Sequence, residues 1–313
     1  MDLKDRKILF ELSRNARMPV NQLAKKVGLG QPGTAYRLKR LFDQKIIHST
    51  YTIIDFSALG RYVYRVYFRF VSTTPEKEHE ILDWVISQKA ASVVGESTGH
   101  YDIVIMSIGQ RSASEFADLL SQLKERYREF IADMDVSFYT GTLYFNRNYL
   151  LPEERDDTII ETGNANQVSH DELDLAILNS IVEDARKTVL TIAKETGHPA
   201  RTVAYRLKLL EKNGIIKGYS INPASSALGR EYYKLSVVFS KNTTRAQMIE
   251  FARSLDSTVY VDRTMSKYDF ELNVEVKNYA ELEDIIKKIK ERFGGITEIS
   301  IFSIIKFHKL SHL

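Results

Sequence analysis

The pentapeptide Ala35-Tyr36-Arg37-Leu38-Lys39 returns unchanged at Ala204-Tyr205-Arg206-Leu207-Lys208, an offset of 169 residues. With that offset, residues 5 to 61 match residues 174 to 230 at 22 of 57 positions without a gap, so one structural unit is present twice. In each copy a glycine (Gly28, Gly197), a short basic helix and a pair of isoleucines (Ile46-Ile47, Ile215-Ile216) follow one another. That order is how a helix-turn-helix followed by a wing strand reads in sequence. Apolar Ala35, Leu38 and Leu41, and equally Ala204, Leu207 and Leu210, fall on one helical stripe and predict an inward face. Arg37, Lys39, Arg40, Arg206 and Lys208 are then expected to face out.

Ahead of this helix, Ile8, Leu9 and Leu12 mark one amphipathic helix, and Val20, Leu23, Ala24 and Val27 a second that ends at Gly28. After Ser57-Ala58-Leu59-Gly60-Arg61, repeated at 226 to 230, the periodicity changes to 2. Tyr62, Tyr64, Val66, Phe68 and Phe70 share one side of a strand, with Arg65 and Arg69 on the other. The following segments predict a helix over 76–88, strands over 92–97 and 101–108, a helix over 114–128 and a strand over 133–145. The second copy repeats this β-α-β-β-α-β order with strands 231–240, 257–264, 268–276 and 296–308 and helices 244–255 and 279–293. A split β-α-β unit of this kind is ferredoxin-like, with both helices on one sheet face. The apolar residues of the strands exceed what two helices cover, which predicts a second sheet on the other face, from the same chain or from another.

The fold class is therefore α+β, with two winged helix-turn-helix domains and two ferredoxin-like domains in tandem. Their expected limits are 1–60, 61–148, 169–229 and 230–313, and the polar, aperiodic stretch 149–168 reads as a linker. The first 50 residues hold eleven Lys or Arg against four acids, a plausible polyanion face, whereas residues 169 to 218 hold eight against seven. The absence of cysteine excludes disulfides, thiolate metal sites and cysteine nucleophiles. No apolar run approaches the roughly 20 residues of a membrane span and no signal core opens the chain, so a cytoplasmic, nucleoid-associated protein is expected.

This order of elements resembles the Lrp/AsnC (feast/famine) transcription regulators, and the resemblance covers nearly the whole chain, twice. It implies a RAM-type ferredoxin-like domain that dimerises through its sheet and binds an amino acid or similar effector near a Gly-x-Tyr-Asp loop, while paired helix-turn-helices read DNA. Carried over residue by residue, the DNA-binding candidates are Gln31, Thr34, Tyr36, Arg37, Lys39, Arg40, Arg201, Thr202, Tyr205, Arg206 and Lys208. The effector candidates are Gly99, His100, Tyr101, Asp102, Tyr268 and Asp269; Ser266 stands where the first copy has Gly99. The partners implied are double-stranded DNA, an effector and further copies of the chain, as a homodimer or higher homo-oligomer.

The recognition helices depart from the family's usual Ser-Pro-Ser-Thr-Val start, with Gly30-Gln31-Pro32-Gly33-Thr34 in one copy and Pro199-Ala200-Arg201-Thr202-Val203 in the other. Sirohaem decarboxylases use the same scaffold, which makes a tetrapyrrole enzyme the alternative, with Trp84 as the chain's single tryptophan. An architectural DNA-binding protein without base preference is a third reading. No phosphate loop or nucleophile elbow is present, so no catalytic residue, metal or cofactor is expected. His308 and His312 have the spacing of a helical metal pair but lie on a strand end and at the terminus.

Overall fold

The computed structural model describes residues 1–240 and 243–310; His312 lies outside them. The first half runs α1 (Leu3–Arg14), α2 (Val20–Val27), α3 (Gln31–Asp43), β1 (Ile47–Ile54), β2 (Tyr62–Phe70), α4 (Pro75–Ser87), β3 (Val93–Gly99), β4 (Ile103–Gln110), α5 (Ser114–Tyr127) and β5 (Ile131–Tyr144). A two-residue strand, β6 (Ile160–Glu161), precedes the second half. That half comprises α6 (Glu172–Ile181), α7 (Val189–Thr196), α8 (Ala200–Lys212), β7 (Ile216–Pro223), β8 (Glu231–Phe239), α9 (Arg245–Ser254), β9 (Thr258–Met265), β10 (Phe270–Val276), α10 (Tyr279–Arg292) and β11 (Ile296–Leu310). The β-α-β-β-α-β order expected after each wing is observed in both halves.

Asp2 and Asp5 form a reciprocal capping box at the start of α1, and Asp171 and Asp174 repeat it on α6. Gly28 ends α2 in the left-handed region at φ 67°, a conformation in which a Cβ is costly. The buried stripe of α3 is Thr34, Leu38 and Leu41 rather than Ala35, Leu38 and Leu41, and Ala35 is exposed. Spacings of four and three follow the helical repeat better than three and three, and Thr34 tolerates burial because its hydroxyl donates to the Gly30 carbonyl at 3.1 Å. In α8 the same stripe is Val203, Leu207 and Leu210.

The two wings pair with each other. β1 and β7 are antiparallel, with Tyr51 opposite Ser220, Thr50 opposite Ile221 and Thr52 opposite Tyr219. Ser220 is the repeat equivalent of Tyr51, so a local pseudo-twofold axis passes through that pair. Reciprocal contacts obey it: the Ala16 N–H donates to Tyr219 O at 3.0 Å and the Ala185 N–H to Thr50 O at 3.4 Å. Likewise Arg17 donates to Ala185 O at 2.6 Å and Arg186 to Ala16 O at 2.5 Å. A single apolar core runs through both units, from Ile8, Leu12 and Leu41 to Ile177, Leu207 and Ile221. The two winged helices are consequently one body.

The remaining strands close a ring in the order β5-β2-β4-β3-β11-β8-β10-β9 and back to β5, all antiparallel, with β6 added on β5. Each half supplies four strands, and the halves meet at two seams, β3–β11 and β5–β9. The second sheet expected over the free face is the other half of the same chain. Outside, α4 and α5 cover Val66, Phe68 and Ile105, while α9 and α10 cover Leu235, Val237 and Leu272. Inside, one lobe is apolar, built from Tyr67, Tyr101, Val104 and Phe302. The other is charged.

The connecting segment is docked along much of its length. Leu150 and Leu151 enter the winged-helix core, and Gly163, Ala165 and Val168 donate their N–H groups to Asp55, Ser57 and Ala58 at 3.0, 3.2 and 2.7 Å. No helix among the described residues is long and apolar enough to cross a membrane.

Candidate nucleic-acid interface and the barrel behind it

On the recognition helices α3 and α8 the outward residues are Tyr36, 68% exposed, and Tyr205, 61% exposed, with Lys39 and Lys208 one turn further on and Gln31 and Arg201 at the helix starts. Lys39 makes only an exposed intrahelical pair with Asp43 at 2.5 Å. Tyr36, Gln31, Arg201, Tyr205 and Lys208 have no hydrogen bond or ion pair among the described residues. Thr34 is fully buried, and its equivalent Val203 lies in the core; Thr202 is partly exposed.

The arginines of the repeated pentapeptide turn inward. Arg37 Nη1 lies 2.8 Å from Asp2 and 2.9 Å from Asp5, and Arg40 Nη2 is 2.7 Å from Asp5. In the second copy Arg206 reaches Asp171 at 2.7 Å and Asp174 at 3.2 Å. The capping carboxylates of the first helix thus clamp the recognition helix in both units. The Asp5 N–H that it caps and the Arg37 guanidinium hold the Asp2 carboxyl below the usual carboxylate range, and the Asp174 N–H and Arg206 do the same for Asp171. The aspartate at 2, 5, 171 and 174 was a repeat visible in the sequence, and it is the signal that could have located this clamp. Asp5→Ala removes a cap and leaves two arginines unpaired, so it should cost about 2 kcal/mol. Asp174→Ala frees one arginine and should cost about half as much; equal losses in urea unfolding would show that the second arginine contributes nothing.

The two Tyr-Asp loops meet at the barrel rim. Tyr101 and Tyr268, both buried, join through their hydroxyls; Tyr101 also donates to Asp135, and Tyr268 to Ser300 at 3.0 Å. Burial first, then the hydrogen bonds to Asp135 and Tyr268, push the Tyr101 phenol far up. Asp102 accepts the Phe70 N–H at 2.7 Å and Asp269 the Phe239 N–H at 2.8 Å, so each carboxylate secures the neighbouring strand of its own half. The His100 N–H donates to Ile301 O at 2.9 Å. Gly99 lies beside β11, where a Cβ would stand 2.4 Å from Ile301 O. Lys267, ion-paired with Asp135 at 3.0 Å and Glu298 at 3.3 Å, is the exposed cation of this rim.

The charged lobe of the barrel was not anticipated. Arg65 Nη2 is 2.6 Å from Glu271 and Nη1 is 3.4 Å from Asp262, while Lys234 Nζ binds Asp262 and lies 2.7 Å from Glu271. Arg65, Lys234 and Glu271 are buried. Tyr139 and Asn273 also donate to Asp262, at 3.0 and 3.2 Å, and the Arg65 guanidinium lies over the Tyr67 and Tyr139 rings. Burial opposes ionisation of Asp262 and Glu271, but Lys234 and then Arg65 outweigh it and hold both carboxyls low. Arg65 and Lys234 are repeat equivalents, whereas Asp262 and Glu271 both come from the second copy. Counting back and forward from the Tyr-Asp pairs, the first copy has Gly95 and Val104 in their places. The sequence signal was the alternation Glu271, Asn273, Glu275 in a strand that is otherwise apolar.

Two links join barrel and winged helices. Tyr51, on the pseudo-twofold axis, meets Tyr260 hydroxyl to hydroxyl at 3.1 Å, and Arg147 bridges Glu275 at 3.0 Å and Ile221 O at 3.4 Å. His308 pairs with Glu96 at 2.7 Å, and no cluster of three metal-ligating side chains occurs among the described residues.

Residues 1–41 match an AsnC-type helix-turn-helix domain, and residues 170–217 a winged helix-turn-helix DNA-binding domain. Curated relatives include an uncharacterised HTH-type transcriptional regulator of Pyrococcus furiosus, 32% identical over 143 residues that make up 44% of this chain and 93% of the relative. The HTH-type transcriptional regulator LrpA of Pyrococcus horikoshii is 30% identical over 132 residues, 41% of this chain and 92% of that protein. Among solved structures, the siroheme decarboxylase NirDL in complex with an iron-uroporphyrin III analogue matches 99% of this chain and 93% of its own, with a TM-score of 0.62 and 15% identity. At that identity the likeness is one of fold.

Proposed function

Since the chain belongs to the Lrp/AsnC family of helix-turn-helix transcription regulators, we propose that it is a sequence-specific DNA-binding regulator in which both winged helices of one molecule engage duplex DNA. The observation that carries this reading is the matched pair of outward faces, Tyr36 with Lys39 and Tyr205 with Lys208, on helices whose bodies share one core. The N-terminal part of such a helix enters the major groove and reads base edges, while lysines one turn on hold phosphates. Arg37, Arg40 and Arg206 set the pose of the helix through their aspartates. The barrel halves, 61–148 and 230–313, are two ferredoxin-like, RAM-type domains joined by 149–168.

An amino acid or similar effector belongs, in this reading, at the rim formed by His100, Asp135, Lys267 and Glu298. Its carboxylate and ammonium groups match the charges already paired there. Further copies of the chain would associate through outer surfaces, because the sheet faces are already paired internally.

Electrophoretic or fluorescence titration of genomic and scrambled duplexes across a salt series tests the proposal. Lys39→Ala with Lys208→Ala should weaken binding to all duplexes alike and flatten the logarithmic salt slope by up to about 2, roughly 0.9 for each phosphate released. Tyr36→Ala with Tyr205→Ala should lower the ratio of specific to scrambled binding. A wild-type protein without salt-dependent duplex binding would refute the assignment.

The full-length likeness to a siroheme decarboxylase favours one second reading, a tetrapyrrole enzyme. Titration with an iron tetrapyrrole decides between them: a saturable, one-to-one shift of its visible absorption band supports the enzyme.

A further inference from the structure

The two recognition helices are alike in their middle and unlike at their start. Ala35, Tyr36 and Lys39 on α3 correspond to Ala204, Tyr205 and Lys208 on α8, and the clamped arginines Arg37 and Arg206 also correspond. In the first turn, however, Pro32 and Gly33 of α3 stand opposite Arg201 and Thr202 of α8. Pro32 and Gly33 are exposed and carry no side-chain donor, whereas Arg201 is exposed and has no partner among the described residues. The first turn is the part of a recognition helix that goes deepest into the groove, and a free arginine there pairs best with the two acceptors on the major-groove edge of guanine.

In a reader made of two identical chains, any such residue occurs in both arms. Here the pairing of β1 with β7 about Tyr51 and Ser220 places one helix of each kind in every molecule. The pseudo-twofold axis sets the two helices at the same height along it, so one duplex can meet both. The shared apolar core uses up the faces through which two winged helices pair.

Resting on the DNA-binding reading above, we infer that a single chain reads one asymmetric operator: an inverted repeat whose arms share the bases under Tyr36 and Tyr205, with a guanine contacted by Arg201 in one arm only. The operator then has a direction, and a molecule sits on it in one orientation.

The test is selection of bound duplexes from a random-sequence pool by the full-length protein, followed by the mass of the complex with the selected duplex in solution. The wild type should enrich an inverted repeat with unlike arms and form a complex of one chain per duplex. Arg201→Ala should reduce the one-armed guanine preference at least about fivefold and leave the shared bases enriched. Pro32→Arg with Gly33→Thr, changes at exposed positions, should introduce the guanine into the other arm and make the operator symmetric. Identical arms selected by the wild type, or two chains on each duplex, overturn the inference while leaving the regulator reading intact. Failure of the wild type to retain any duplex overturns the regulator reading itself.

Discussion

Arg65→Met is expected to lower the unfolding free energy by about 3 to 5 kcal/mol, because it leaves Asp262 and Glu271 inside the barrel with Lys234 as their only cation. The loss reflects an unbalanced buried charge more than the worth of the contact. Arg65→Met combined with Glu271→Val keeps the Lys234–Asp262 pair neutral and fills the site with apolar atoms, so it should recover most of the loss. Chemical unfolding of wild type, single and double variants measures this directly. A single variant within about 1 kcal/mol of wild type would mean that solvent already shares the charges.

The same cluster predicts a pH dependence whose sign changes with the mutation. In the wild type both carboxyls titrate below their ordinary values, held down by Lys234 and Arg65 against burial. Their contribution is complete above the unfolded carboxylate pKa, near 4, and falls away as pH drops through the lower folded values. In Arg65→Met one carboxyl has lost its cation, so burial raises its folded pKa. The variant should therefore be less deficient at pH 5 than at pH 7. A deficit that does not change with pH would refute the assignment.

Gly99→Ala is expected to cost about 3 kcal/mol or more in the absence of any ligand. Gly99 sits at φ 114°, in the region that favours glycine. An added Cβ would stand 2.4 Å from Ile301 O and 3.0 Å from the Phe302 Cα, both backbone atoms of β11 that cannot turn aside. Either β3 or β11 must shift, and the β3–β11 seam of the ring opens. Ser266→Ala, at the equivalent position, removes only a hydroxyl that accepts the Tyr268 N–H at 3.1 Å and should cost about 1 kcal/mol or less. Thermal unfolding compares the two, and a Gly99→Ala protein that melts with the wild type would refute this account of the seam. The contrast also governs effector experiments: a ligand response lost in a Gly99 variant reports on barrel closure first.

The sequence alone determined what each stretch must bury. The 169-residue offset, the helical stripe around Leu38 and Leu41, the glycine stop at Gly28 and the alternation of 62–70 are local periodicities. They placed the winged helices and the β-α-β-β-α-β order in both halves, and the surplus of apolar strand residues required a second sheet. Only the tertiary structure decided which partner meets each face. Arg65 read as the solvent side of its strand, and it is buried because Asp262 and Glu271, about 200 residues further on, neutralise it inside a closed ring. Arg37 and Arg206 read as groove-facing and instead turn to the aspartates that begin α1 and α6. The stretch after residue 148 read as a linker because nothing in it repeats, yet backbone hydrogen bonds to Asp55, Ser57 and Ala58 hold it against the first winged helix. The reason is common to all three. Periodicity records how often a side chain leaves water, a property of its own segment, whereas the identity of a charge's counterion or of a backbone donor's acceptor depends on segments that only the closed chain brings together.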